Sequence, residues 1–224
     1  MKFKRLFLIL SCAAALASCG GGGDDVATTD FPLAAAYRAN LVASRATSFD
    51  ISGTCAGTGT RFVTAPAPGT FEGAPALVKT ITATNNYTNC PGSGTVTSQD
   101  FYDTDYVVKG FVTPGQSYSS FADKVVVPAA VRIGNSGVFG SAKTWTDSSR
   151  TFQIGTGTYS YVVEADGAST TSVIAKLVTR FVDTSNAPVF TETETYRLTA
   201  SGWLTLLVDD VVRADGSRLT LTVK

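Results

Sequence analysis

A mainly β fold is predicted, a strongly curved antiparallel meander forming a half-barrel or barrel with one N-terminal α-helix. Three observations predict it. Apolar and polar residues alternate with a period of two through most of the chain after Thr47. Short turn signals such as Asp166-Gly167 and Asp215-Gly216 separate successive alternating runs, and both positions of such a turn tolerate positive φ. The runs are long, about nine to twelve residues, and strands of that length twist and coil rather than lie flat.

The chain opens on Lys2, Lys4 and Arg5, then the apolar residues 6–10 and 13–16, then the small residues before Cys19. This is the layout of a secretory leader. Leu16-Ala17-Ser18-Cys19 resembles the lipobox of bacterial lipoproteins. That resemblance covers the leader alone and implies a signal peptide over 1–18, with Cys19 alkylated by diacylglycerol and acylated on its freed amine. Cys12 is a poorer cleavage point because it leaves too short an apolar core, and Gly20 to Gly23 with Asp24 and Asp25 end the stretch too early for a membrane span. Each buried methylene stabilises attachment by about 0.8 kcal/mol, so two or three acyl chains anchor the protein without a basic patch. Gly20 stands where an Asp often signals inner-membrane retention in such lipoproteins, so the resemblance points to the outer membrane, facing the periplasm. Residues 19–29, rich in Gly, form a flexible tether, and 30–224 form a single domain.

Asp30-Phe31-Pro32 reads as a helix start, with Leu33, Tyr37 and Leu41 at helical spacing over 32–45. Phe49, Ile51, Gly53 and Cys55 then alternate with polar residues, as do Leu77, Lys79, Ile81, Ala83, Asn85 and Tyr87. The Pro- and Gly-rich segment 66–75 between them predicts a loop that breaks regular pairing. Strands follow over 138–146, 151–165, 171–183, 189–199, 203–214 and 218–223. Val173, Ala175, Leu177 and Phe181 make one inward row; Leu204, Leu206, Val208 and Val212 make another, interrupted by Asp210. The run 191–199 carries Glu192 and Glu194 and is polar on both faces, which sets aside a membrane-embedded barrel and predicts a solvated sheet edge.

With Cys12 in the leader and Cys19 lipidated, Cys55 and Cys90 remain, a pair predicted to form a disulfide in an exported chain. Lys plus Arg and Asp plus Glu both number 18, which argues against a nucleic-acid-binding protein, since that needs a concentrated excess of Lys and Arg. The chain contains no histidine, which removes the commonest general base and metal ligand together; no metal and no cofactor is predicted. The Gly-Thr-Gly triplets at 57–59 and 155–157 lack the strand-to-helix setting of a dinucleotide loop and read as strand kinks or bulges. Asp100, Asp103 and Asp105 lack the Gly and Glu of a calcium loop and read as a solvated turn. Phe101, Tyr102, Tyr106, Phe111, Tyr118 and Phe121 read as core aromatics that a curved sheet could also turn toward a ligand.

These features predict a non-catalytic, lipid-anchored envelope protein that binds an apolar ligand or an envelope partner, held to the membrane by its N-terminal lipid. The alternative is a histidine-free hydrolase that cuts envelope polysaccharide with two carboxylates such as Glu192 and Glu194.

Overall fold

The computed structural model describes residues 29–224; the predicted leader, Cys19 and all but the last residue of the predicted tether lie outside the described residues. One helix, α1 (Leu33–Val42), precedes thirteen strands: β1 (Arg45–Gly53), β2 (Gly57–Val63), β3 (Ala67–Phe71), β4 (Ala74–Tyr87), β5 (Gly94–Tyr102), β6 (Val108–Thr113), β7 (Ser117–Phe121), β8 (Ser136–Trp145), β9 (Gln153–Ala165), β10 (Ser172–Asp183), β11 (Pro188–Thr199), β12 (Leu204–Arg213) and β13 (Arg218–Val223). From β4 to β13 every strand pairs antiparallel with its successor, β13 pairs with β1, β1 with β2, and β2 with β4. The meander therefore closes. β2 and β3 share one edge of the long β4, so the barrel has twelve staves and the β3–β4 hairpin tip continues past its rim.

The helix is shorter than its predicted span of 32–45, because Arg45 already pairs with Val63 in the β1–β2 ladder. Asp30 does not cap it; its carboxylate pairs with Arg132 at 2.6 Å, and Pro32 occupies the cap position. The buried Lys79 donates to the Leu41 carbonyl at 2.8 Å, satisfying a last-turn acceptor that the helix leaves open. The segment 66–75 is not a loop but the β3–β4 hairpin, with Pro68 opposite Leu77 and Pro75 opposite Thr70. Proline is tolerated there because β3 carries no second partner strand.

The barrel's two ends differ. At one end Phe31, Leu33 and Ala36 pack on Val131, Val163, Val173 and Leu198, all essentially inaccessible, and Phe31 bridges Val131 through paired 2.9 Å backbone bonds. At the other end lie the short turns, among them the two joined by the Cys55–Cys90 disulfide, whose Cα atoms are 5.6 Å apart. That bond straddles the β2–β4 seam. Closing a loop of 35 residues stabilises the fold by roughly 4 kcal/mol on the chain-entropy model.

Polar, β-branched residues dominate much of the outer wall: Thr58 and Thr60 on β2, Thr191 to Thr195 alternately on β11, and Thr84 bonded to Thr95 across β4–β5 at 2.8 Å. Gly155 admits no side chain, since a Cβ would sit 2.2 Å from the Val182 carbonyl oxygen; this triplet is a close-packing point between β9 and β10.

Candidate functional site

A barrel of eight strands is filled by its own side chains, whereas one of sixteen encloses a channel. Twelve staves fall between, and one short helix fills only part of the lumen. The remainder is a cavity of about 710 Å³, running from the inner side of α1 at Tyr37 and Leu41 to Phe181 and Phe190 near the opposite rim. Its size is that of a site for a small organic molecule. One wall is aromatic: Phe111, Phe121 and Tyr159 meet with ring centroids 5.0 to 5.7 Å apart, and Phe181 stacks on Phe190 at 5.3 Å.

The facing wall is charged. Arg61 on β2 reaches across the Phe49 ring, 5.4 Å from its centroid, to Asp209 on β12 at 2.5 Å and Glu194 on β11 at 3.4 Å. Glu194 lies directly opposite Asp209 in the β11–β12 ladder, and Glu192 is the next inward residue of β11. Beyond Arg61, Asp100 accepts a 3.1 Å bond from the Tyr102 hydroxyl, next to Lys79. Asp209 itself is 2% exposed, and its Oδ1 has no hydrogen-bond partner.

Burial governs how these groups titrate. It lifts the Glu192 carboxyl to about 8, with the neighbouring Asp209 and Glu194 charges adding to the rise. Glu194 is raised by burial and by Asp209, against the pull of Arg61. Asp100 is pushed up to about 6 by burial, opposed by Tyr102 and Lys79. The Lys79 ammonium is lowered by burial. For Arg61 burial also acts downward, but Asp209 and Glu194 outweigh it and hold the guanidinium firmly charged.

Two expectations are corrected here. The run 191–199 is not an edge: β11 pairs along its length with both β10 and β12, and Glu192 and Glu194 face the lumen. The second inward row also shifts, because a bulge at Leu207 pairs Thr195 with Val208 but Tyr196 with Leu206. Leu204 and Leu206 point in as expected; beyond the bulge Asp209 and Val211 replace Val208 and Val212, while Asp210 turns outward to Arg218 and Thr220. Had the ladder been regular, Asp209 would face water.

Other candidates separate. Asp103 and Asp105 belong to the turn before β6, where Asp103 accepts from the Asp105 and Val107 amides at 2.9 Å, but Asp100 lines the lumen. Of the six clustered aromatics, Tyr102, Phe111 and Phe121 face the cavity side, while Phe101 and Tyr118 lie on the outer wall beneath Phe71 of the β3–β4 hairpin. A more open hollow of about 620 Å³ lies there, lined by Phe71, Tyr118, Glu72 and Arg150. Its groups already satisfy one another: Arg150 pairs with Glu72 and covers the Tyr118 and Trp145 rings. Among the described residues no group of three or more His, Cys, Asp or Glu is arranged to hold a metal ion.

No protein-family model, curated protein or solved structure matches this chain. Its chemistry is therefore read from the lumen alone.

Proposed function

We propose that this is a non-catalytic, lipid-anchored envelope protein whose barrel binds a small, largely apolar ligand. The observation that carries the reading is the 710 Å³ cavity, which has one aromatic wall and one charged wall. A site built this way gains affinity from apolar burial and orientation from a few polar groups. The anchor at Cys19 and the outer-membrane location rest on the leader, and mass spectrometry of the mature protein tests them by the presence or absence of acyl mass on an N-terminal cysteine.

Binding of N-phenyl-1-naphthylamine, an uncharged probe that fluoresces in apolar surroundings, tests the lumen. The purified protein should take up one equivalent. Ala83→Trp, which projects an indole into the cavity from β4, should weaken binding about tenfold or more while leaving the thermal transition in place. Equal binding by the variant, or none by the parent, overturns the proposal.

One feature favours a second reading, the carboxylate-dependent hydrolase of envelope polysaccharide. Glu192, kept protonated near neutrality, has the character of a general acid. Against this, Glu192, Glu194 and Asp209 share one stretch of wall rather than flanking a sugar ring from two sides, and Arg61 occupies two of them. Release of reducing ends from peptidoglycan or capsular glycan, lost in Glu192→Gln, would establish the hydrolase and displace the first reading.

A further inference from the structure

The lumen's charges do not balance. Four carboxyl groups, Asp100, Glu192, Glu194 and Asp209, share it with three cationic side chains, Arg45, Arg61 and Lys79, an excess of one carboxyl group. Lys79 donates to the Leu41 carbonyl rather than to a carboxylate. Arg61 engages one oxygen of Asp209 and one of Glu194. Asp209 Oδ1 is left buried with no N–H or hydroxyl donor, so that only a protonated neighbouring carboxyl can serve it, in a side chain only 3% exposed. An orphaned carboxylate oxygen in a low-dielectric site is costly, and such an atom marks a place where a donor belongs.

Resting on the apolar-binding reading above, we infer that the ligand carries a primary ammonium group on an apolar body, seated against Glu192 and Glu194 with an N–H directed to Asp209 Oδ1. Three features favour this headgroup over others. Its positive charge offsets the carboxylate excess, whereas an anionic head would meet Glu192 and Glu194 at the wall. Its N–H groups supply Asp209 Oδ1 with a donor that does not depend on a protonated Glu192, which a quaternary ammonium cannot do. A bare metal ion needs oxygen ligands from several directions, and these carboxylates lie on the adjacent strands β11 and β12. The aromatic wall, with Phe181 and Phe190 towards the rim, then receives the apolar body.

Without a ligand the donor to Asp209 Oδ1 is a proton held on Glu192, which neighbours it. Seating the ammonium replaces that donor. Glu192 then ionises and its proton passes to water, so one proton leaves for each amine bound and the ammonium gains a second carboxylate partner. Charge-assisted contacts of this kind are stronger than neutral ones, which makes the preference measurable.

Displacement of N-phenyl-1-naphthylamine by a tail-matched series, decylamine, decyltrimethylammonium, decanol and decanoate below their micelle concentrations, is the test. Decylamine should compete at least about tenfold more tightly than decanol, with decyltrimethylammonium between them and decanoate weakest. In Glu192→Gln the advantage of decylamine over decanol should fall about tenfold; should that variant not fold, the series on the unaltered protein decides. Equal competition by decylamine and decanol, or tighter competition by decanoate, overturns the headgroup and leaves the apolar lumen standing. Failure of the probe to bind the unaltered protein overturns both.

Discussion

The two halves of the lumen are built from the same strands to opposite ends. Around α1 the interior is packed solid, with Phe31, Leu33, Val131, Val163, Val173 and Leu198 at or below 1% exposure. Farther along the same staves the row Val173, Ala175, Leu177 continues to Phe181, and its neighbours on β11 change from Leu198 and Tyr196 to Glu194, Glu192 and Phe190. Along these two staves packing gives way to charge, while across the lumen Phe49, Ile51 and Leu221 stay buried beside Arg61 and Asp209. The first half supplies the apolar burial that fixes a closed barrel of this width; the second half leans on that stability to keep four carboxyl groups and three cations within a hollow. Mutations in the two halves should therefore fail differently.

The largest effect belongs to the packed half. Phe31→Ala removes a ring that is wholly inaccessible and loosens the strap that ties the N-terminal segment to Val131. Chemical denaturation should show a loss of about 4 kcal/mol, the cost of the removed transfer energy plus a cavity the rigid wall cannot close. The loss should be nearly the same at pH 5 and pH 8, because the ring belongs to an apolar cluster with Leu33, Ala36 and Val131.

Arg61→Met breaks the hollow half instead. It should cost about 3 kcal/mol at pH 8, because Asp209 and Glu194 lose the guanidinium that compensates their buried charge. At pH 5 the loss should shrink, since Glu194, already raised by burial, can take up a proton in place of the missing cation. Denaturation curves at the two pH values check this. An equal loss at both would show that Arg61 acts by packing over Phe49 and not through its charge.

How far each half was legible in the sequence follows from the same contrast. The packed half was readable because local rules agree there: the alternation at Val173, Ala175 and Leu177, the Asp-Gly turn at 166–167, and the helical spacing of Leu33, Tyr37 and Leu41 all predicted what forms. Cys55 and Cys90 were readable for a different reason, being two thiols left without another role. The hollow half was not readable, because charge on a strand ordinarily signals solvent. Glu192 and Glu194 therefore suggested an edge, and only closure of the ring through β13–β1 and β2–β4 makes that face an interior. The bulge at Leu207, which turns Asp209 inward, leaves no mark in a Leu-Leu-Val-Asp-Asp run. Lys79 did leave a signal, a cation in an otherwise inward row with Leu77 and Ile81, but its partner is a helix carbonyl 38 residues away.

The smallest effect sharpens the comparison most, because it isolates one proton. Folding raises the Glu192 carboxyl from its ordinary 4.5 to about 8, chiefly by burial and then by Asp209 and Glu194. Between those two values the folded chain holds a proton that the unfolded chain has released. Its stabilising contribution is thus complete below about 4.5 and is lost as pH rises through about 8. Asp100, raised to about 6, adds a decline that begins near 3.8. Surface carboxylates act in the opposite sense: Asp166, lowered by Arg197 and Ser172, and Asp183, lowered by Ser185 and the Ala187 amide, stabilise above 3.8 and lose that contribution as pH falls. The melting temperature should therefore peak on the mildly acidic side and fall towards pH 8. Glu192→Gln keeps the shape and a donor for Asp209 Oδ1 but cannot ionise, so its melting temperature should match the parent near pH 5. At pH 8 it should exceed the parent by about 2–4 °C for each kcal/mol recovered in a chain of this length. A parent curve that is flat between pH 5 and 8, or a Gln variant less stable at pH 8, would mean that Glu192 ionises freely and that the hollow half is wetter than its walls imply.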